Sequence, residues 1–427
     1  MVGVPDIFDS GISCLIRRAL IIGNGAAGAE HQSLGLVRAL GLGDSYTLER
    51  INRPREGFNY WLRWLPVNLH RGLNKLLHAD LPFLGLRYLP FSSAEGAGIG
   101  RGSDAWGVRD PSSLPSSSRN MVEGVTEADP VRIAEAAKKN FERGGPLLVI
   151  ASGRDTVAVA AEIKRLAPEA TFVIQIQHPR CDVRQFDLVI TPQHDYHSFT
   201  PEAKEEVPRF LLRFLMPTQP PDEHVVQTTG ALHHADMITL RSAAAMWHDY
   251  FAGLPKPLVY VSIGGPSRRC NYGADLAQEL VMMLEETLEV SGGCAWISFS
   301  RRTPNKVKEH VRDRLKDHPR ISIWDGQGPN PHLGLLSWAD TFVITADSVS
   351  MLSEACSTGK PVYVIGGERC KWKLAQFHRT LEKRGAIRKF VGNENMRDAW
   401  SYPPLNDNAE AAAKVKQILA RKGWRIR

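Results

Sequence analysis

The chain has 427 residues, 43% hydrophobic and 23% charged, with a formal net charge of +7. This is a globular composition, long enough for two domains with full cores. The modest positive excess suits an anionic membrane surface, a nucleotide or acidic partner patches, and the absence of finger spacing, helix-turn-helix spacing or a dense basic run argues against nucleic acid.

Further classes fall away on inspection. No apolar run approaches the ~20 residues needed to cross a bilayer. Asp6 and Asp9 precede the first arginines, Arg17 and Arg18, an order that suits neither a secretory signal nor an acid-poor transit peptide. A role at an organelle would therefore place the protein on its outside, as a peripheral component. The cysteines are Cys14, Cys181, Cys270, Cys294, Cys356 and Cys370. None forms a C-x-x-C pair, so neither zinc nor a disulfide framework is expected, and all six read as reduced thiols.

The first expected strand is Arg18-Ala-Leu-Ile-Ile. Gly23-Asn-Gly-Ala-Ala-Gly follows, with a helix through Ser33, Leu36, Val37 and Leu40. The spacing is the dinucleotide fingerprint between a strand and a helix, with Glu49 as the acid about twenty positions on. Gly25 and Gly28 belong to this loop, and His31 reads as a loop or cap residue, with a role in the cleft as the alternative. Residues 58–91 mix aromatics, leucines and basic groups, which suits either an amphipathic helix pair over the first core or a membrane or partner surface. Residues 92–129, rich in Ser, Gly and Pro, read as a flexible insertion, a candidate regulatory or partner-binding tether.

Alternation then resumes. A helix is expected over Val131 to Phe141, and strands at Pro146-Leu-Leu-Val-Ile, Thr171-Phe-Val-Ile-Gln-Ile and Phe186-Asp-Leu-Val-Ile. Polar loops follow each strand, the position where a doubly wound domain keeps its site. Arg154, His178, Arg180, His194 and Asp195 would line one rim, with His178 or Asp195 a conceivable general base. No nucleophile or paired acids single out a catalytic group. His233 and His234 are adjacent, so their side chains diverge and no metal site is expected.

A second domain begins near Pro255. Its strands are Leu258-Val-Tyr-Val-Ser-Ile, Trp296-Ile-Ser-Phe-Ser, Ile321-Ser-Ile-Trp, Thr341-Phe-Val-Ile and Pro361-Val-Tyr-Val-Ile. Three strand ends carry Gly264-Gly265-Pro-Ser267-Arg268-Arg269, Ser300-Arg301-Arg302 and Asp347-Ser348-Val-Ser350. Glycines let backbone approach a phosphate, arginines supply charge, and the start of the helix through Met351, Leu352 and Ala355 attracts anions. Asp347 and Ser348 can cap that helix, which Gly359 stops. Ser350 and Glu354 share one of its faces, and Glu354 reads either as a ribose-contacting carboxylate or as a solvated surface acid. These residues form a candidate nucleotide or anion cleft. The tail, Ala411 to Arg427, reads as a basic helix with Val415, Ile418 and Leu419 on its apolar face, suited to packing on the first domain or to supporting anionic-lipid binding.

The segment from Thr345 to Ile365 resembles the donor-nucleotide segment of two-domain GT-B glycosyltransferases, such as the bacterial enzyme that builds lipid II. In that family the Glu at the position of Glu354 contacts the ribose. A closer resemblance is to the plant mitochondrial-fission factors of the "elongated mitochondria" type, carried by Gly25-Ala-Ala-Gly-Ala-Glu-His-Gln-Ser-Leu-Gly-Leu, Ser152-Gly-Arg-Asp-Thr, Gln175-Ile-Gln-His-Pro-Arg, Phe186 to Asp195, Gly264-Gly-Pro-Ser, Ser300-Arg-Arg-Thr-Pro and Thr345-Ala-Asp-Ser. The resemblance favours reading the Gly25 loop as one that faces an interdomain cleft. It implies an α/β fold with two Rossmann-like domains, over 1–245 and 246–400, and a helix in 401–427 crossing back to the first domain. It implies a fission factor on the cytosolic face of the outer mitochondrial membrane that helps recruit a dynamin-related GTPase, with no cofactor. The alternative is a glycosyltransferase using a nucleotide-sugar donor.

Overall fold

The computed structural model describes residues 15–51, 127–200, 219–398 and 400–427. Residues 58–91, most of the 92–129 insertion, Asp6 and Asp9 lie outside the described residues. Within that insertion, residues 127–129 are described: Glu127 bridges to Arg50, and the Asp129 carboxylate accepts N–H bonds from Val131 and Arg132 to start the next helix.

The first half is built from β1 (Leu15–Ile16), β2 (Ala19–Gly23), α1 (Ala27–Ala39), β3 (Tyr46–Arg50), α2 (Pro130–Gly144), β4 (Leu147–Ser152), α3 (Val157–Leu166), β5 (Thr171–Ile176), β6 (Leu188–Pro192) and β7 (Val225–Thr228). Short 3-10 turns follow β5 and β6, at Val183–Gln185 and Gln193–Phe199. Six strands make one sheet in the order β3-β2-β4-β5-β6-β7, every neighbour parallel. The strands are short and almost wholly apolar because helices cover both faces. All six residues of β5 are buried. Strand order reverses between β2 and β4, so the Gly25 loop and the turn carrying Arg154 flank a topological switch point.

The second half repeats the plan. It comprises α4 (Met237–Met246), α5 (His248–Phe251), β8 (Leu258–Ile263), α6 (Ala274–Ser291), β9 (Cys294–Phe299), α7 (Asn305–Leu315), β10 (Ile321–Ile323), α8 (His332–Trp338), β11 (Thr341–Thr345), α9 (Val349–Cys356), β12 (Val362–Ile365), α10 (Lys373–Lys383), β13 (Ile387–Lys389), α11 (Asp407–Arg421) and β14 (Arg425–Ile426). Its parallel sheet runs β10-β9-β8-β11-β12-β13, with the reversal between β8 and β11. α4 packs on α8: the Trp338 indole donates to the Ala244 carbonyl at 2.9 Å.

α11 belongs to this half in sequence but to the other in space. Val415 and Leu419 are fully buried among Leu36, Val37 and Ile174. Each contributes about 1.5–3 kcal/mol by leaving water. β14 then pairs with β1, Leu15 opposite Arg425. The Asp407 carboxylate at the start of α11 accepts the N–H groups of Thr229 and Gly230, and Ser353 accepts that of Ala231. The crossing between the halves is thus held by both flanking helices.

The chain is therefore an α/β protein with two Rossmann-like domains facing a cleft, and its last helix crosses back to the first. One expectation fails. Cys270, in the loop after β8, and Cys370, in the loop after β12, form a disulfide. They are 100 positions apart in the chain, and only the adjacency of two strand-end loops brings them together.

Candidate functional site

Three strand ends of the second domain do converge, at the β8/β11 switch point. The centre is Asp347, whose side chain has no exposed surface. One carboxylate oxygen accepts from the Tyr272 hydroxyl and from Thr345 Oγ1, each at 2.8 Å. The other accepts the Gly265 N–H at 3.1 Å and an Arg302 N–H at 2.8 Å. Thr345 Oγ1 in turn accepts the Gly264 N–H at 2.7 Å. The two glycines are required by this packing. A Cβ on Gly264 would sit 2.2 Å from the Asp347 carboxylate, and one on Gly265 would sit 2.1 Å from the Arg302 carbonyl. The close backbone approach that the sequence suggests is made to the chain's own acid and loop.

α9 starts beside this hub. Ser348 caps it by accepting the Met351 N–H at 3.4 Å, while Asp347 faces the hub and gives the helix no cap. Gly359, with φ of +74°, closes the turn beyond α9. Ser350 is half-buried on the first turn. Ser300 accepts the Arg302 N–H and bonds Thr303 Oγ1, and Ser267 accepts the Arg269 N–H, so both hydroxyls hold their own turns. Arg301 is exposed.

Glu354 is buried, which removes the surface-acid reading. His332 bonds it at 2.7 Å through Nε2, and its other ring nitrogen is 2.9 Å from the Tyr260 hydroxyl. Burial alone would raise the Glu354 pKa; His332, with His233 and His234 nearby, outweighs it and holds the carboxyl well below its usual range. Burial alone would lower the His332 pKa; Tyr260 and Glu354 outweigh it, so His332 stays charged at neutral pH. His31 of α1 reaches this cluster from the first domain, packing against His234 with ring centroids 3.8 Å apart and the planes tilted by 37°. Its own pKa is lowered by burial. His31 is thus an interdomain packing residue within α1.

The Gly-rich loop of the first domain is occupied from within. The Gly25 N–H donates to Glu30 at 2.9 Å, and Glu30 also pairs with Arg50. Glu49, the acid that the dinucleotide reading of this loop would require, pairs with Arg132. A Cβ on Gly28 would meet nothing within 4 Å.

The open part of the cleft lies beside these networks. A cavity of about 80 Å³ is lined by Arg154, Gln177, His178, Arg180 and Asp195 from the first domain and Arg269 and Lys373 from the second. Lys373 Nζ sits 2.5 Å from Asp195, which also accepts from Thr191 at 2.7 Å. Burial opposes ionisation of Asp195; Lys373, with His194 and Thr191, outweighs it and holds the pKa at about 2. Asp195 is therefore an ion-pair anchor rather than a general base. His178 Nδ1 accepts the Arg180 N–H at 3.0 Å, so a neutral ring carries its proton on Nε2. His194 lies behind the rim, 5.1 Å from the Phe377 ring, and burial lowers its pKa to about 4. Among the described residues, no three His, Cys, Asp or Glu groups are placed to hold a metal ion.

The rim residues Arg154, His178, Arg180 and Asp195 thus meet as their strand-end positions suggest, and Arg269 joins them across the cleft. Lys373 carried no signal in the sequence. It begins a helix after the β12 loop, and only the facing of the two sheets brings it to Asp195. His332 and Tyr272 were likewise illegible, because their partners are 22 and 75 residues away.

Comparison with known proteins decides the family. The model of the family described as "Mitochondrial fission ELM1" matches residues 27–419. This chain belongs to that family. It is 50% identical to the mitochondrial fission protein ELM1 of Arabidopsis thaliana over 428 aligned positions, all of this chain and 96% of that one. It is 29% identical to an uncharacterised protein of Rickettsia prowazekii (strain Madrid E), over 64% of this chain and 80% of that protein. Among solved structures, a UDP-GlcNAc 2-epimerase from Methanocaldococcus jannaschii superposes with a TM-score of 0.50 at 14% identity, covering 95% of this chain and 99% of that one. That likeness establishes the two-domain fold. Family membership gives the chain a role in mitochondrial fission.

Proposed function

We propose that this protein works on the cytosolic face of the outer mitochondrial membrane, where it helps bring a dynamin-related GTPase from the cytosol to sites of fission. The observation that carries the reading is the 50% identity over the whole chain to the Arabidopsis fission protein. Attachment in this reading is peripheral. None of the described helices is long and apolar enough to cross a membrane, and the net charge of +7 favours an anionic lipid surface. The internal occupation of Asp347, Glu354 and Glu30 fits a scaffold whose polar strand-end groups hold structure.

The test is co-sedimentation. A purified dynamin-related GTPase is spun with isolated mitochondria, with and without this protein. Pelleting of the GTPase only in its presence supports recruitment; a GTPase left in the supernatant in both cases refutes direct recruitment. A second reading, a glycosyltransferase-type donor site, is favoured by the cationic cavity at the strand carboxyl ends. A melting-temperature screen with UDP-, GDP- and ADP-sugars checks it, and no shift with any donor removes it.

A further inference from the structure

We propose that the cleft cavity between the two domains is a binding site for a phosphoryl anion, either free phosphate or diphosphate or the phosphoryl end of a larger ligand, held by Arg154, Arg180, Arg269 and Lys373.

Four cationic side chains from four different strand-end loops converge on one cavity, and among the described residues of its lining Asp195 is the one carboxylate. The carboxylate that acts on both Arg180 and Arg269 is Asp195, which is already paired with Lys373. Burial lowers the pKa of Arg180, and repulsion from Arg269 adds to it; burial likewise lowers that of Arg269, with Arg154 adding, and Asp195 offsets both only in part. Guanidinium groups driven together against their own repulsion mark a place where an anion supplies the missing charge. Arginine's fork of donors matches phosphoryl oxygens in particular.

The backbone around the cavity is unusual independently of its charge. Gln177, Arg180 and Trp372 have φ of 68°, 62° and 56°, and no other non-glycine described residue has positive φ. All three are in the loops that build this cavity. Such conformations are unfavourable for side-chain-bearing residues and persist where surrounding structure over-determines them, as at ligand clamps. Here they aim the side chains of 177–180 and start α10 at the cavity edge. α10 has 11 residues and no side-chain cap at Trp372, and its first residue, Lys373, lines the cavity.

The second-domain side of the cavity is cross-linked. The Cys270–Cys370 bond joins the loop of Arg269 to the loop leading into Lys373, and the Lys371 N–H donates to the Arg269 carbonyl at 2.8 Å. The two cations are therefore fixed relative to one another. A cavity of about 80 Å³ is several times the room that one water needs and suits one phosphoryl group. Because both domains supply ligands, the anion would bridge them. The site is distinct from the Asp347 hub, where an acid already occupies the anion's place. The inference does not depend on how the protein acts in fission.

The test uses the full chain and isothermal titration calorimetry with orthophosphate, pyrophosphate and UDP, alongside melting temperatures. Saturable binding of at least one is expected. Arg180→Gln combined with Arg269→Gln should weaken it by at least about 100-fold, since hydrogen bonds to charged groups are worth roughly tenfold or more each. Lys139→Gln, on the exposed face of α2, should leave affinity unchanged. The double variant should also melt at a higher temperature than the parent without ligand, because it relieves the repulsion; misfolding could not produce that result. Binding of orthophosphate or pyrophosphate identifies a phosphoryl group as sufficient, while binding of UDP alone identifies a larger ligand entering by its phosphoryl end. No binding of any probe up to roughly 1 mM, the weak limit of specific recognition, overturns the proposal. So does binding that the double variant leaves intact.

Discussion

Replacing Asp347 by alanine should damage folding, and the size of the damage follows from its contacts. The carboxylate is fully buried and accepts four hydrogen bonds, from Tyr272, Thr345, Gly265 and Arg302. Arg302 is half-exposed and recovers its partner from water. Tyr272, Thr345 and the Gly265 N–H are buried, and each orphaned donor costs about 1–3 kcal/mol unless it rotates to a new acceptor. Allowing for that rotation, the total is about 3–5 kcal/mol, in line with removing one partner of a buried charged pair. For a domain of this size the melting temperature should fall by roughly 10 °C. Asp347→Asn keeps one acceptor and should lose about half as much, and Tyr272→Phe about 1 kcal/mol. The assay is thermal unfolding followed by circular dichroism without ligand. A double-mutant cycle of Asp347→Ala with Tyr272→Phe should show non-additivity, since both remove the same bond. A melting temperature for Asp347→Ala within about 2 °C of the parent would refute the reasoning, and would mean that the acid is held for a ligand rather than for the fold.

Two more outcomes follow from the structure. Burial holds His194 and His378 at pKa values of about 4 and His234 at about 3, below the ordinary 6.5. The unfolded chain takes up protons that the folded one refuses, so stability should fall as pH drops from 6.5 toward 4, by up to about 1.4 kcal/mol per pH unit for each. A melting temperature unchanged between pH 7 and pH 5 would count against neutral burial of the three. His332 acts in the opposite direction: its pKa is raised by Tyr260 and Glu354, so its contribution is complete below 6.5 and fades as pH rises above it. The Cys270–Cys370 bond closes a loop of about 100 residues. Cys270→Ser should therefore lower the stability of the oxidised protein by about 4.7 kcal/mol in the chain-entropy account. A reducing agent should do the same to the parent and nothing to the variant. Alkylation of both thiols without prior reduction would show that the bond is absent.

The two-domain plan was legible because each strand is a short apolar run and each helix has an apolar face, so local periodicity carries the layer order. Thr171–Ile176 and Leu258–Ile263 stand where the apolar runs place them. Polar residues at the carboxyl ends of parallel strands marked the cleft for the same reason. What those residues do in the cleft was hidden. Gly264, Gly265, Arg302 and Asp347 had the composition of a phosphate site, yet their donors are spent on one another. Glu354 sat at helical spacing as a surface acid would, but it is buried because the facing segment carries His332. Cys270 and Cys370, with no spacing signal, meet because the β8 and β12 loops end side by side. The chain by itself thus determined the alternation of elements, the family motifs and the end of each sheet where a site forms, since all of these depend on near neighbours in sequence. Only the tertiary structure decided which of those polar groups are satisfied internally and which cations are left facing the cleft. Hydrogen-bond and charge pairing depend on distances between residues that the chain order keeps far apart.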